Sequence, residues 1–320
     1  MSIVIVNYRS WRALGECLNS FTQHTPQLNY EIIVVDNDSQ DGKLKSFSQD
    51  YPQVAFVKND GNNGFANGCN LGAINARGDF LLFLNPDTVL THSMTIDRMY
   101  SFAKKNPHVG ITSCRRINPK GKPEREMAFA NPWLIIGWIR TIYKLINKSK
   151  IQKKFPDKEM TWHPDWVAGS VILIQTDFFN KIGKWNQEKF WMYYEDVDLC
   201  KRVKSQDYEI ALLRDINLKH SHGGSSRRNP TTTAITKSEV VTSSHIYIQL
   251  YTQGLNKIAL HFMIMFNTLL SQLLKITLTL PVFWKTSFKT NILVLIATSK
   301  YYTNALINGK WTSKRLSKKQ

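Results

Sequence analysis

Over the first 115 residues, short β-branched runs alternate with helical patterns, and this alternation restricts the fold more than any other feature of the chain. Runs at 3–6, 31–35, 54–58, 80–84 and 109–114 read as strands, and between the first two Trp11, Leu14, Leu18 and Phe21 recur at helical spacing. Strands separated by helices specify βαβ units, which close as a largely parallel sheet covered by helices. Residues 115–126 read as a polar loop. A second block, about 162–226, holds a strand-like run at 170–174 and a helix opening near Glu195. The 320 residues accommodate one such domain with an appendage. The expected divisions are 1–115, then 116–239 with an apolar and basic insert at 133–158, then a tail at 240–320.

The formal net charge is +18, which predicts attraction to nucleic acid, a phospholipid surface or phosphorylated small molecules. Its distribution says more than its total. The last acid is Glu239, and residues 240–320 hold ten Lys or Arg, so the tail accounts for +10. Within it, Lys257, His261, Thr268, Gln272, Lys275 and Thr279 form a narrow polar stripe on an otherwise apolar helix. No run reaches about 20 clean apolar residues. An interfacial anchor is therefore expected in preference to a span, with an oligomer interface or a core helix as the other readings. Cys17, Cys69, Cys114 and Cys200 form no CxxC pair, which argues against a zinc site or a disulfide framework and favours reducing cytoplasm. The N-terminus enters a strand directly, without a leader pattern.

Four local patterns carry candidate chemistry. The first strand ends in Asn7-Tyr8 and the second in Asp36, and ligands of open parallel sheets bind beyond the carboxyl ends of the strands. These three side chains would line one crevice, where Asp36 can accept from a ribose or a base, or serve as a turn residue. The stretch 59–72 contains Asn62-Asn63-Gly64-Phe65-Ala66-Asn67, whose glycines permit close backbone approach and whose amides can reach phosphate or base; the alternative is a plain loop opening a helix. It carries neither Gly-Lys-Ser/Thr nor the dinucleotide fingerprint. The fourth strand runs into Asn85-Pro86-Asp87, a carboxylate placed to hold a hard divalent cation that also bridges diphosphate oxygens. Finally, Glu195, Asp196 and Asp198 open a helix, where they can supply a general base or simply cap it, and a loop histidine, His220 or His222, can complete a metal site.

In this order the patterns resemble the inverting glycosyltransferases of family 2, and within them the bacterial rhamnosyltransferase-like branch. The matching stretches are Ile3-Val4-Ile5-Val6-Asn7-Tyr8, Val34-Val35-Asp36-Asn37, Asn62-Asn63-Gly64-Phe65-Ala66, Leu84-Asn85-Pro86-Asp87, Trp166-Val167-Ala168-Gly169-Ser170, Tyr194-Glu195-Asp196-Val197-Asp198-Leu199 and His220. The resemblance implies a GT-A fold, an α/β Rossmann-like architecture with a mostly parallel central sheet flanked by helices, here with a C-terminal amphipathic helical extension. It implies nucleotide-sugar binding by Asn7, Tyr8, Asp36, Asn62, Gly64, Phe65, Asn67, Asn85 and Asp87. Asp196 then resembles the catalytic base, with Glu195, Asp198, Trp166 and Gly169 as acceptor or supporting positions. The family's metal motif is often Asp-x-Asp; Asn85 takes the first place here, so Mg2+ or Mn2+ should be held more weakly, by Asp87, the diphosphate and His220.

The implied reaction is an in-line displacement at the anomeric carbon of a dTDP- or UDP-linked sugar, with Asp196 removing the acceptor proton. Helix position lowers the Asp196 pKa while Glu195 and Asp198 raise it. The Asn-Pro-Asp motif leans toward L-rhamnose from dTDP-rhamnose; the alternative is a UDP-hexose or galactofuranosyl donor. The expected acceptor is a polyprenyl-diphosphate-linked glycan of cell-surface polysaccharide (O-antigen or capsule) synthesis. The basic tail would dock on the anionic cytoplasmic face of the bacterial inner membrane as a peripheral contact. A non-enzymatic nucleic-acid or membrane binder would need basic residues interleaved with aromatics and no acids at strand ends, so no nucleic-acid partner is expected.

Overall fold

The computed structural model describes residues 1–124, 126–221 and 229–316. In chain order the elements are β1 (Ser2–Asn7), α1 (Trp11–Gln23), β2 (Glu31–Asp36), α2 (Lys43–Asp50), β3 (Val54–Lys58), α3 (Phe65–Ile74), β4 (Phe80–Leu84), β5 (Thr88–Leu90), α4 (Met94–Lys105) and β6 (Val109–Ile117). There follow α5 (Gly137–Ile146), α6 (Lys148–Lys154), β7 (Thr161–Trp162), β8 (Val171–Gln175), α7 (Thr176–Lys181), α8 (Glu195–Lys204), β9 (Glu209–His220), α9 (Pro230–Tyr251), α10 (Gly254–Thr279) and α11 (Thr286–Asn308). The chain divides into two compact units. The first takes Met1–Ala130, Lys148–Gln187 and Glu195–Ser225; the second takes Asn131–Asn147, Glu188–Tyr194 and Ser226–Gln320. These limits differ from divisions at 115 and 239, because the segment around α5 and the short run before α8 both join the C-terminal helices.

The first unit contains one sheet in the order β3-β2-β1-β4-β8-β6-β9-β5, with β7 added on β9. β1 to β4 are mutually parallel, as the alternation demands, and β6 is parallel to β9, whereas β8 runs antiparallel to β4 and β6, and β5 and β7 run antiparallel to β9. The sheet is therefore mixed beyond β4. β1 is buried from Ser2 to Asn7, which is why its side chains are apolar on both faces from Ile3 to Val6. Trp11, Leu14, Leu18 and Phe21 of α1 cover one face together with Ile3 and Ile5, while Val4 and Val6 face a second cluster with Phe83, Trp185 and Leu199. α3 crosses so close to β1 that a Cβ on Gly68 would lie 2.7 Å from Val6 Cγ1. Gly68 thus serves helix-on-sheet packing, not the ligand approach that glycines of the 59–72 stretch suggested.

Two further expectations are corrected. β6 continues through Arg115 and Arg116 to Ile117, and Glu124 N–H donates to Arg116 O at 2.8 Å, so the polar loop is the turn of a hairpin. His220 is the last residue of a twelve-residue strand, not a loop residue.

In the second unit α10 packs on α9 and α11, and its polarity is reversed. His261, Thr268 and Gln272 are buried, while Phe262 and Phe266 are about 60% exposed, at 61% and 59%. Residues Gly254–Val282 are long and apolar enough, by length and composition, to cross a membrane, which corrects the reading that no segment reaches that length. Ile136, Ile248, Leu260 and Ile264 form the apolar centre of this unit. Beside it, His245 and His261 stack with their Nδ1 atoms 2.7 Å apart, and Trp311 stacks on both. One ring must donate and the other accept, so the contact cannot survive protonation of both rings. Burial pushes His245 down to about 3, helped by His261, and His261 down to about 4, helped by Lys257. Depressed histidine values mean that the unfolded chain binds the protons first. The pair's stabilisation is complete above the ordinary value of 6.5 and declines as pH falls toward 4 and 3. Thermal unfolding followed between pH 7.5 and 5 should show a falling midpoint that is flatter in the His245→Phe/His261→Phe double variant; equal slopes would refute this origin.

Candidate active site

The parallel register sets the donor side of the site. Asn7 pairs with Asp36 across β1 and β2, and Asp36 pairs with Lys58 across β2 and β3, so the ends of the strands share one edge of the sheet. Asn7 is fully buried; its Oδ1 accepts from Ser10 N–H at 3.2 Å, while Nδ2 has no partner among the described residues. A buried amide donor left open at a strand end is costly unless a ligand or water meets it. Asp36 accepts from the Ser39 hydroxyl and, at 3.2 Å, from Ser39 N–H. Burial raises its pKa, with the two Ser39 bonds opposing and the Asp41 and Asp38 charges adding to the rise. Tyr8 is 38% exposed and the Arg9 guanidinium lies 5.3 Å from its ring centre.

Behind this edge runs a ladder of carboxamides. Asn37 donates to Asn62 Oδ1 and to Gly64 O, both at 3.1 Å; Asn59 donates to Asn37 at 2.7 Å and to Asn67 at 2.8 Å; Asn67 and Asn70 donate to Gln187 at 3.2 and 3.0 Å. Gly64 caps α3 at a φ of 92°, a conformation that favours glycine. The ladder fixes Asn62, Gly64 and Asn67 relative to each other and uses part of the amide capacity of Asn62 and Asn67. Asn37, Asn59 and Gln187 are members to which sequence reasoning gave no role; the density of asparagine between 59 and 70 is a signal for Asn59, and Asn37 follows Asp36 in the matching stretch.

Asn85-Pro86-Asp87-Thr88 forms a turn closed by Thr88 N–H and Oγ1 on Asn85 O, at 3.2 and 2.7 Å. It delivers Asp87 to β5, whose Thr88 pairs with His220 of β9. His220 Nε2 accordingly lies 3.4 Å from Asp87 Oδ1, and Nδ1 lies 3.0 Å from Glu124 Oε1. Burial alone would lower the His220 pKa, but hydrogen bonds and charge from Asp87 and Glu124 outweigh it and raise the value to about 9. Asp87 is buried, and apart from that approach its Oδ1 has no hydrogen-bond partner among the described residues. The donor set would suit a divalent cation that displaces the His220 proton: one carboxylate with open acceptor capacity, one imidazole nitrogen once neutral, and a second carboxylate that orients the ring. Among the described residues there is no cluster of three or more protein ligands. His222 lies outside the described residues.

The other side of the site starts from α8. Asp196 is partly buried on its first turn, its Oδ2 accepting from Gly169 N–H at 3.0 Å and its Oδ1 from Val197 N–H at 2.8 Å. Burial raises its pKa above 3.8, against the opposing pull of those two N–H groups and of the Arg116 charge. Gly169 has little room for a side chain, since a Cβ there would stand 3.3 Å from Phe65 Cε1 and 3.5 Å from Asp196 Cβ. Phe65 packs edge-on against Trp185. Asp198 is 1% exposed and engaged by Arg202 at 2.8 Å, which also donates to the Ile182 and Lys184 carbonyls at 2.5 and 2.7 Å. Glu195 is buried, and its charge adds to the burial that raises the Cys69 thiol pKa. Trp166 Nε1 donates to Phe129 O at 3.3 Å, and the ring lines a small cavity with Arg116, Glu124 and Glu126.

Arg116 joins the two sides. Its guanidinium lies 3.0 Å from Glu124 Oε2 and donates to Ser170 Oγ at 3.1 Å, next to the Gly169 N–H that holds Asp196. Neither Arg116 nor Glu124 was singled out from the sequence. Their signal was there: a turn at 118–121 flanked by Arg115-Arg116 and by Glu124 and Glu126 is a hairpin with opposite charges facing, and Arg115 does bind Glu126 at 2.5 Å.

The family profile described as Glycosyl transferase family 2 matches residues 2–173. The chain belongs to glycosyl transferase family 2. It is 26% identical over 226 residues to the low-salt glycan biosynthesis hexosyltransferase Agl10 of Haloferax volcanii, covering 69% of this chain and 67% of that one. It is 25% identical over 248 residues to the N-acetylglucosaminyl-diphospho-decaprenol L-rhamnosyltransferase of Mycobacterium tuberculosis, covering 72% and 78%. Among solved structures, GalNAc-T7 with UDP, GalNAc and Mn2+ superposes with a TM-score of 0.53 at 15% identity, covering 69% of this chain and 43% of that one, a likeness of fold. This glycosyltransferase has the GT-A fold, a mixed sheet flanked by helices with a C-terminal helical extension.

Asp198→Asn should weaken the protein by about 2 kcal/mol, because it leaves the partly buried Arg202 cation uncompensated. Urea unfolding with donor-binding and turnover assays separates the roles: a loss of stability with intact acceptor affinity marks Asp198 as support for α8, and the reverse pattern marks it as an acceptor contact.

Proposed function

We propose that this glycosyltransferase moves a sugar from a nucleoside diphosphate to an acceptor hydroxyl with inversion, Asp196 acting as base. The observation that carries the reading is the continuous set of contacts Asp87–His220–Glu124–Arg116–Ser170, which ends beside the residue whose N–H holds Asp196. Leaving-group chemistry and proton removal would thereby fall within one unit. Asn7 and Asp36 would bind the nucleoside, with Tyr8, Asn62, Gly64, Phe65, Asn67 and Asn85 completing the donor pocket. Asp87 and His220 would hold a divalent cation, Mg2+ or Mn2+, which when bound neutralises charge on the departing diphosphate. Glu124 orients the His220 ring. The two N–H bonds leave each Asp196 oxygen with acceptor capacity for a hydroxyl proton, and the raised pKa brings the base closer to neutrality.

For the donor, the Asn85-Pro86-Asp87 motif and the mycobacterial rhamnosyltransferase favour dTDP-L-rhamnose. The name of that relative also supports a saccharide on a polyprenyl diphosphate as acceptor, and hence cell-surface polysaccharide synthesis at the cytoplasmic face of the bacterial inner membrane. The halophile hexosyltransferase favours a second reading, a UDP-hexose donor. Calorimetric titration with dTDP and UDP, with and without Mn2+, followed by turnover of the matching sugar nucleotides, decides between them. Tighter dTDP binding and rhamnosyl transfer are expected; exclusive use of a UDP-hexose would replace the first reading.

Asp196→Asn should abolish transfer, by about a thousandfold or more, while nucleotide affinity stays close to wild type; retained turnover would remove Asp196 from the role of base. The pH profile gives an independent check. Transfer should fall on the acid side as Asp196 protonates, and Arg116→Gln, which removes a charge that lowers the Asp196 pKa, should move that limb to higher pH. An unmoved limb would mean that a different group titrates.

A further inference from the structure

The second unit presents α10 the wrong way round for water. Its buried face carries His261, Thr268 and Gln272, with His261 Nε2 and Gln272 Oε1 lacking hydrogen-bond partners among the described residues, while Leu255, Ile258, Phe262, Phe266, Leu270 and Leu274 stand outward with 44% to 84% of their surface exposed. The outward residues follow the spacings 3, 4, 4, 4 and 4, so they form one continuous ridge along a helix of 26 residues. Water selects the opposite arrangement, and exposed apolar patches of this extent mark a surface with a partner.

Charge identifies the partner. No acid follows Glu239, ten Lys or Arg lie between 240 and 320, and the ridge runs into exposed Phe283 and Trp284 followed by Lys285. Aromatic side chains beside lysine, at the end of an apolar helix, are the composition of a membrane interface. A protein partner of matching chemistry would need a comparably long apolar groove ringed by acids, and a second copy of this chain supplies no acids here.

We propose that the outward face of α10 is inserted into the acyl region of an anionic bilayer, with the helix axis in the plane of the membrane. This rests on the reading of a lipid-linked acceptor and goes beyond it: the tail is held by an inserted apolar ridge, and its lysines add attraction to the headgroups. An in-plane position follows from α11, which packs along α10 yet exposes Lys289 and Lys300; hydrocarbon can contact such a pair from one side only. Lys275 is exposed on α10 itself and can extend its stem to the headgroup level.

The full-length protein is sedimented with vesicles of phosphatidylcholine containing phosphatidylglycerol, then washed in high salt. Wild type should stay bound in salt that screens the lysines. Phe262→Asp/Phe266→Asp, at exposed positions, should retain its circular dichroism and nucleotide affinity while losing about tenfold in partitioning for each substitution. Lys285→Glu/Lys289→Glu should lose only the salt-sensitive part. Unchanged binding of the Asp variant, or complete release of wild type by salt, would overturn the inserted ridge. A stable dimer without vesicle binding, dissociated by the same Asp substitutions, would assign the ridge to a second copy. Nucleotide binding and turnover are read separately, so failure of the bilayer claim leaves the transferase reading intact, and the converse holds.

Discussion

Asp87, Glu124 and Asp196 lie along one run of contacts, and Arg116 is the permanently charged cation within it. Its guanidinium touches Glu124 and Ser170 directly and draws the Asp196 pKa down against burial. The position is set by backbone, since the β6–β9 ladder shifts register between Cys114 and Arg115, and such irregularities re-aim side chains at a sheet edge. Because Arg116 reaches Glu124, Glu124 is held where it orients the His220 ring, and that ring approaches Asp87. A charge on the strand β6 therefore organises carboxylates contributed by the β4–β5 turn, the hairpin and α8. Without it, Asp196 would lose a positive charge that opposes burial, and its protonated form would be favoured.

Much of the donor side was legible because its logic is local. A β-branched run followed by Asn7 or Asp36, or a strand running into Asn85-Pro86-Asp87, states both the element and the edge at which its last side chain appears. Glu195 opening a helix was equally readable, with acids on its first turn. What escaped depends on pairing across long intervals. β9 includes Arg214, Asp215 and Lys219, so its alternation is broken in sequence; only its neighbours β6, β5 and β7 make a strand of it and bring His220 to Asp87. The carboxamide ladder likewise joins residues up to 120 positions apart.

α10 shows a different limit. A periodic pattern identifies two faces and is silent on which of them meets solvent. Charged stripes resolve this, since lysine and glutamate are seldom buried. The stripe here is mostly Thr, Gln and His, side chains that a helical bundle can accept, and the packing of α9 and α11 decides the matter by burying His261, Thr268 and Gln272. The excess charge thereby takes on a definite use. In the first unit part of it faces the carboxylates around Arg116; after Glu239 it surrounds an apolar ridge without acids to oppose it.

The central claim is that one carboxylate, Asp196, removes the acceptor proton while the diphosphate leaves from the opposite face of the sugar. The anomeric configuration of the first-formed product, read by NMR from the one-bond carbon–hydrogen coupling at the transferred sugar, tests that claim most directly. A configuration opposite to that of the sugar nucleotide is the result this site predicts. Retention would contradict it, because two successive displacements or a front-face attack would then be needed, and neither uses Asp196 as described.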